Sequence, residues 1–438
     1  HFDGPRPVAS ERLTAVFDAA VDPQYPVYRT PAMVSAGGAT LVFAEGRQSL
    51  DHNAPADLVL KRSTDRGDTW GPMSIVVGVS TGLPGVAARD CSTTTFGHPV
   101  PVALPGGMDV LLAFTVNSTD VFVTRSADGG ATWAKPENVT AEVKQPGWGL
   151  MATGPGHGLV LANGPHAGRV VVPLYHALSV AEVTQVTRWE PSDPRDPRSD
   201  PVTVTSYTIN NPYADREHGA SHRALVRDRS QGVVEDAVHL SAPATVAGLN
   251  AFEARDGHAA AMYSDDGGKT WLMSVDVPDL ASSEVQMAQL ENGEVVASFR
   301  VEHNRTRGCR HFAFSTDGGA LWQQLHQLGA TPAQGFNCTV LDPGCHGSLI
   351  ANRNTLYACG PQSRWQRQHL ALYRSRDGGR TWDVVGRPFT EIPEAGYSDM
   401  VVWPPLGVHP WDELGAVFEQ GAGRRRISMW RVSLGNRG

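Results

Sequence analysis

Arg29 and Arg300 stand in stretches that otherwise suit buried strands, Val27-Tyr28-Arg29-Thr30-Pro31 and Val295-Val296-Ala297-Ser298-Phe299-Arg300. A guanidinium placed there must be paired or must face a cavity, because an uncompensated buried charge is strongly disfavoured. On pattern alone two readings stay open, a structural ion pair and a cation set to hold an anion. Metal chemistry has less support. The cysteines Cys91, Cys309, Cys338, Cys345 and Cys359 are odd in number, so at least one is unpaired within the chain and no disulfide framework is implied. Cys338 and Cys345 flank a short loop, yet no CxxC pair or histidine cluster accompanies them. Neither a metal nor a cofactor is expected, and Cys345 reads as a small buried hydrophobe.

The elements that must position these groups repeat. The pattern S-x-D-x-G-x-T-W occurs at 63–70, 126–133, 264–271, 315–322 and 375–382, broken only by Leu321. A β-like run precedes each copy, such as Asp57-Leu58-Val59-Leu60-Lys61-Arg62, so each copy reads as strand, Gly-containing turn, strand. Its Asp can bond turn N–H groups, its Gly supplies positive φ, and its Trp can pack between neighbouring sheets. The Asp is not a calcium ligand here, since the full ligand run of an EF-hand loop is absent.

Three of the four spacings between copies suit propeller blades, and the fourth is roughly doubled. Within that gap, the Pro-rich charged run Arg188-Trp189-Glu190-Pro191-Ser192-Asp193-Pro194 is unlike the blade sequences. Treating 178–255 as an insertion in the third blade leaves material for six blades of roughly 60 residues each. The expected fold is all-β: one six-bladed β-propeller of four-stranded antiparallel blades. The N-terminal strand closes the ring, and the insertion borders the mouth.

Composition agrees. With 46 Gly and 31 Pro in 438 residues turns are frequent, and 41% hydrophobic residues can fill a core. The net charge of −8 lacks the footprint of a nucleic-acid binder. The uncharged run 145–168 is broken by Pro146, Pro155, Pro165 and seven glycines, so no transmembrane segment is expected and the chain reads as soluble. Any signal peptide is expected to be missing from a chain that starts at His1, and sequons at Asn117, Asn138, Asn304 and Asn337 permit secretion.

In a propeller, residues distant in sequence meet where loops converge at the channel mouth. At this point an ordered set of segments resembles the exo-sialidases of the Asp-box type, bacterial and lysosomal. Tyr28-Arg29-Thr30-Pro31 is similar to the family's Y-R-I-P strand, and Phe43-Ala44-Glu45-Gly46-Arg47 with Asp51 to its F-A-E-x-R segment and acid/base Asp. Gly154-Pro155-Gly156-His157-Gly158, Glu284-Val285-Gln286 with Arg300, Asp342-Pro343-Gly344-Cys345-His346-Gly347-Ser348 and Gly396-Tyr397-Ser398-Asp399 resemble further family segments. The likeness spans most of the chain outside 178–255. Ser283 stands where the family usually has Asn, and Ala358-Cys359-Gly360-Pro361 replaces its N-P segment.

The resemblance implies roles. Arg29, Arg300 and Arg367 would clamp a sugar-acid carboxylate, with Arg364 close enough to compete with Arg367. Tyr397 would be the nucleophile, Glu284 its base and Asp51 the acid/base, with Asp57 a rival. Arg47 and Asp90 would contact the sugar. The implied partners are sialylated glycans, glycoproteins or glycolipids, in a secreted or lumenal, lysosomal setting. The residue types suit the chemistry. A neutral Tyr can attack an anomeric carbon bearing a carboxylate without the like-charge repulsion an Asp or Glu would meet. Three guanidiniums hold a planar carboxylate by charge-assisted bonds better than lysines would. A sialoglycan-binding module would need the arginines but neither nucleophile nor acid, and a protein-binding Asp-box propeller would need none of them.

Overall fold

The protein is described by a computed structural model covering residues 12–51, 54–78, 83, 94–178, 182–193, 196–210, 223–227, 257–278, 282–301, 308–325, 338–387, 394–405, 412–421 and 423–434. Six antiparallel sheets form the six blades of a β-propeller. The first blade runs Val27–Ala36, Ala39–Arg47, Ala56–Ser63 and Ser74–Val77 from the inside outward. The innermost strands of the next four begin at Phe96, Trp148, Ser282 and Ser348. The third blade departs from the four-strand expectation, since the short strand Leu159–Val160 also pairs with Val170–Leu178. In the sixth, Ala395–Trp403, Glu413–Gln420 and Arg426–Ser433 are completed by the N-terminal strand Arg12–Asp18, with Arg12 opposite Arg431. That closure satisfies an edge that would otherwise stay open.

The chain divides into two compact units. One holds the blades; the other consists of Gln145–Leu150 and Ala177–Gly257 and contains a three-stranded antiparallel sheet, Glu182–Asp193, Asp196–Asn210 and Arg223–Arg227. Among the described residues no helix is long and apolar enough to cross a membrane.

Core residues lie between adjacent blades. Leu41, Phe43 and Leu60 of the first blade pack with Phe96, Leu112 and Phe114 of the second, and Tyr357 and Leu372 of the fifth with Met400, Leu414 and Phe418 of the sixth. The Asp-box tryptophans fill these seams. Trp382 stacks on Phe312 of the neighbouring blade with ring centres 5.0 Å apart, and Trp133 meets Phe43 edge-on at 5.7 Å. The repeated Asp does the turn work expected of it: Asp65 Oδ1 accepts from Ser63 Oγ at 2.7 Å and from the Thr69 N–H at 2.9 Å, while Thr69 Oγ1 donates to Asp65 Oδ2 at 2.6 Å. Gly67 N–H donates to Ser63 Oγ, so box and turn form one closed network. The boxes at Asp128, Asp266 and Asp377 repeat the Thr bond.

The fourth-blade box keeps the Leu321 N–H bond to Asp317 at 3.0 Å but has no hydroxyl, and Leu321 is 59% exposed. Leu321→Thr is expected to add the missing bond and to stabilise the protein by about 0.5–1 kcal/mol. Urea denaturation of the two proteins tests this; an unchanged or lower midpoint refutes it.

Candidate active site

Four blades each carry a β-bulge near the start of the innermost strand. Register shifts fall between Arg29 and Ala32, Gly97 and Val100, Ser282 and Val285, and Ala395 and Ser398. An extra residue there bends the strand and re-aims a side chain. Thr30 and His98, neither a glycine, adopt positive φ of 56° and 54° inside two of these bulges. The residues so displayed are Arg29, His98, Glu284 and Tyr397. All four converge at one end of the channel.

At the centre the Tyr397 hydroxyl donates to Glu284 Oε1, and both side chains are buried. Arg300 lies on the second strand of the fourth blade, opposite the bulge that carries Glu284, and its Nη1 donates to Glu284 Oε2 at 3.1 Å. The Arg29 and Arg367 guanidinium carbons lie 5.1 and 5.2 Å from the Tyr397 ring centre. Arg367 is on the loop after Thr355–Pro361; its carbonyl accepts from Ala395 N–H and its Nη2 donates to Gly344 O at 2.7 Å. Thus the structure brings Arg29, Arg300, Arg367, Glu284 and Tyr397 together. Arg364 goes elsewhere, with Nη1 3.5 Å from Cys309 Sγ.

Glu419 anchors this group. Its Oε1 accepts from Arg29 Nε and the Thr30 N–H, each at 3.0 Å; its Oε2 accepts from the Tyr397 N–H at 3.4 Å and lies 3.7 Å from Arg424 Nε. A Cβ on Gly396 would overlap the same carboxylate, so the residue before Tyr397 must be glycine. Glu45 does comparable work in the first blade, accepting from Arg47 Nε and the His98 N–H, each at 2.7 Å. Arg47 Nη1 in turn donates to the carbonyl of Asp51, which is exposed on the loop after Ala39–Arg47. Asp57 accepts from Tyr25 OH at 2.5 Å on the adjoining strand. Asp90 lies outside the described residues.

Asp399 joins four elements under the site: its Oδ2 accepts from Met33 N–H at 2.8 Å, and its Oδ1 accepts from Ser348 Oγ at 3.0 Å and contacts His157 Nδ1 at 2.7 Å. His346 is fully buried with both ring nitrogens unpartnered, its ring centre 5.6 Å from that of Tyr397. Glu419 carries the same sequence signal as Arg300, a charge after an apolar run, and the pattern could have found it. His98 and His346 carry no such signal. A second departure is the disulfide between Cys309 and Cys338; Cys345 and Cys359 are free and buried. No group of His, Cys, Asp and Glu suited to a metal ion occurs among the described residues.

The electrostatics follow from burial opposed by charge. Burial alone would raise Glu284, but the Arg300 charge, joined by the Tyr397 hydrogen bond and the other neighbouring groups, outweighs it and holds the carboxyl down to about 2. Burial and the Glu284 charge push Tyr397 upward against the pull of the three arginines, so the resting proton stays on the phenol. Burial against the Arg47 guanidinium leaves Glu45 at about 2, and burial lowers His346 to about 3. The carboxylates contribute stability above their unfolded values near 4.3, and that contribution is lost as pH falls toward about 2. His346 stays neutral when folded while the unfolded chain binds a proton below roughly 6.5, so stability falls between there and about 3. His346→Gln is expected to flatten that slope by up to about 1.4 kcal/mol per pH unit. Unfolding free energies measured from pH 4 to 6 decide the matter, and an unaltered slope would show that His346 is not the group responsible.

Comparison with known proteins gives a consistent picture. A BNR repeat-like domain model matches residues 230–409. The chain is 25% identical to a sialidase of Micromonospora viridifaciens over 98% of its own length and 56% of that protein, and 24% identical to Homo sapiens Sialidase-4 over 87% and 69%. It therefore spans little more than half the length of the Micromonospora relative. Among solved structures, the Hadza microbial sialidase Hz136 superposes with a TM-score of 0.63 at 20% identity, covering 96% of this chain and 68% of that one. A leech intramolecular trans-sialidase gives 0.62 at 13% identity, covering 97% and 70%. These structural likenesses speak for the fold, and the sequence matches along nearly the whole chain, together with the repeat-domain match, support a sialidase family with Asp-box repeats.

Proposed function

We propose that the protein is a retaining exo-α-sialidase that removes terminal sialic acids, or a related 2-keto-3-deoxy sugar acid, from glycans, glycoproteins or glycolipids. The observation that carries this reading is the Tyr397 hydroxyl bonded to the Glu284 carboxylate beside Arg29, Arg300 and Arg367. A binding module needs the guanidiniums, but nothing in binding requires a buried phenol–carboxylate pair. The substrate carboxylate would lie on the three arginines, which places the anomeric carbon over Tyr397. Tyr397 attacks as its proton passes to Glu284, and a tyrosyl-enzyme intermediate forms as the glycosidic bond breaks. Asp51 protonates the leaving oxygen and then activates water, a task suited to its position on an exposed loop tethered by Arg47. Arg47 itself would reach the sugar, with Asp90 as its companion.

Substrate binding also prepares the base. Arg300 holds Glu284 ionised and weakly basic; a substrate carboxylate on Arg300 shares that charge, weakens its hold and raises the proton affinity of Glu284. The Cys309–Cys338 bridge fits a secreted or lumenal compartment. The whole chain would act as one catalytic propeller domain, with 178–255 as an insertion within it.

Tyr397→Phe is expected to lower kcat on a fluorogenic aryl sialoside by at least about 10³-fold while a planar unsaturated sialic acid analogue still binds. Wild-type turnover in that variant would remove Tyr397 as nucleophile. Truncating Arg29, Arg300 or Arg367 to Ala is expected to raise KM by the equivalent of roughly 2–5 kcal/mol, and Arg364→Ala by much less. A crippling Arg364→Ala with a benign Arg367→Ala would reassign the third arginine.

A further inference from the structure

We infer that the Cys309–Cys338 disulfide is a positioning element for Arg367, setting where its guanidinium meets the substrate carboxylate. This inference rests on the sialidase reading of the site. The bridge joins the fourth blade to the segment that leads into the fifth. Around it the two segments pair briefly: Arg310 N–H donates to Val340 O at 3.1 Å and Asp342 N–H to Gly308 O at 2.9 Å. The pairing delivers the buried Arg310 side chain into the turn that follows. There it donates to Cys345 O at 2.8 Å and Gly347 O at 3.1 Å and lies 3.3 Å from Asp342 Oδ2, while its Nε reaches back to Ser298 Oγ at 2.8 Å. The turn is fixed from inside by Asp342 Oδ1, which accepts from Cys345 N–H.

Gly344, in the middle of that turn, presents the carbonyl that takes Arg367 Nη2 at 2.7 Å. The other side of the bridge touches the loop that carries Arg367. Arg364 Nη1 lies 3.5 and 3.8 Å from the two sulfurs, and Gly308 packs so closely that a Cβ on it would come within 2.7 Å of the Arg364 backbone. The bridge therefore bears on Arg367 twice, through the carbonyl that holds its guanidinium and through the loop that holds its backbone. Arg29 and Arg300 have other supports, Glu419 and Glu284, and need no such staple.

The test compares Cys309→Ala/Cys338→Ala with the wild-type chain, and repeats the comparison in an Arg367→Ala background, using a fluorogenic aryl sialoside. The expected result is a KM raised about tenfold with kcat within about threefold, and a further change below twofold once Arg367 is gone, because residues acting through one another are not additive. The planar sialic acid analogue should lose affinity in parallel. Should the double variant fail to fold, wild-type protein reduced with a phosphine and alkylated provides the same readings. A KM unmoved by loss of the bridge overturns the inference, as does an equal effect in both backgrounds or a loss confined to kcat. A wild-type protein that neither turns over the glycoside nor binds the analogue would overturn the sialidase reading, and this inference with it.

Discussion

Positive charge packed around one buried phenol is the constraint on which the rest of the molecule turns. Arg29, Arg300 and Arg367 share a small volume, and Arg29 is 2% exposed. Cations removed from water repel one another and lose hydration, so each needs an acceptor with good geometry. Glu419 serves Arg29, Glu284 serves Arg300, and the Gly344 carbonyl serves Arg367. These partners come from three blades, so the site exists only when the ring is closed. The ring is closed by main-chain pairing of Arg12–Asp18 with Arg426–Ser433, the hairpin partner of the strand that carries Glu419.

The blades supply rigidity, and the bulges spend part of it. Regular pairing would turn alternate side chains of each inner strand toward the neighbouring blades, away from the channel mouth. Shifts at Arg29, Gly97, Ser282 and Ala395 break the alternation only at the mouth, and Asp399 immediately below restores a fixed relation among the first, third, fifth and sixth blades. Strain at Thr30 and His98 is held in place by direct bonds, the Thr30 N–H to Glu419 and the His98 N–H to Glu45. One carboxylate therefore both neutralises a guanidinium and pins a strained backbone.

What could be read from residue order follows the same physics. The Asp box is local, its bonds spanning two to four residues, so five copies along the chain are enough to declare blades. Arg29 and Arg300 are legible because a charge in an apolar strand demands a partner, and Glu419, after Ala416-Val417-Phe418, obeys the same rule. What sequence does not display is which partner each charge finds, since Arg29 and Glu419 are 390 positions apart. Arg367 and Arg364 are alike in type and three apart; only the loop between strands of the fifth blade decides that one faces Tyr397 and the other the disulfide. The disulfide itself spans 29 residues and belongs to no motif. His346 draws its significance from burial against Tyr397, which no spacing encodes.

The resting charge arrangement is also the one least suited to proton transfer. Glu284 is held at about 2 and Tyr397 above its ordinary value, so without substrate the phenol keeps its proton and is a poor nucleophile. A site left permanently activated would need a buried phenolate, a second anion beside Glu284 that the low dielectric disfavours. In the proposed reaction, a substrate carboxylate on the arginines would change the balance in the useful direction for the base, because Arg300 is the largest charge holding Glu284 ionised. There the same anion would oppose formation of a free phenolate, which favours transfer of the proton in step with carbon–oxygen bond formation, as charge on the phenol oxygen is consumed at the anomeric carbon. On the proposed function, a nucleophile that stays neutral until the sugar acid is in place would thus be a consequence of how the guanidiniums are partnered.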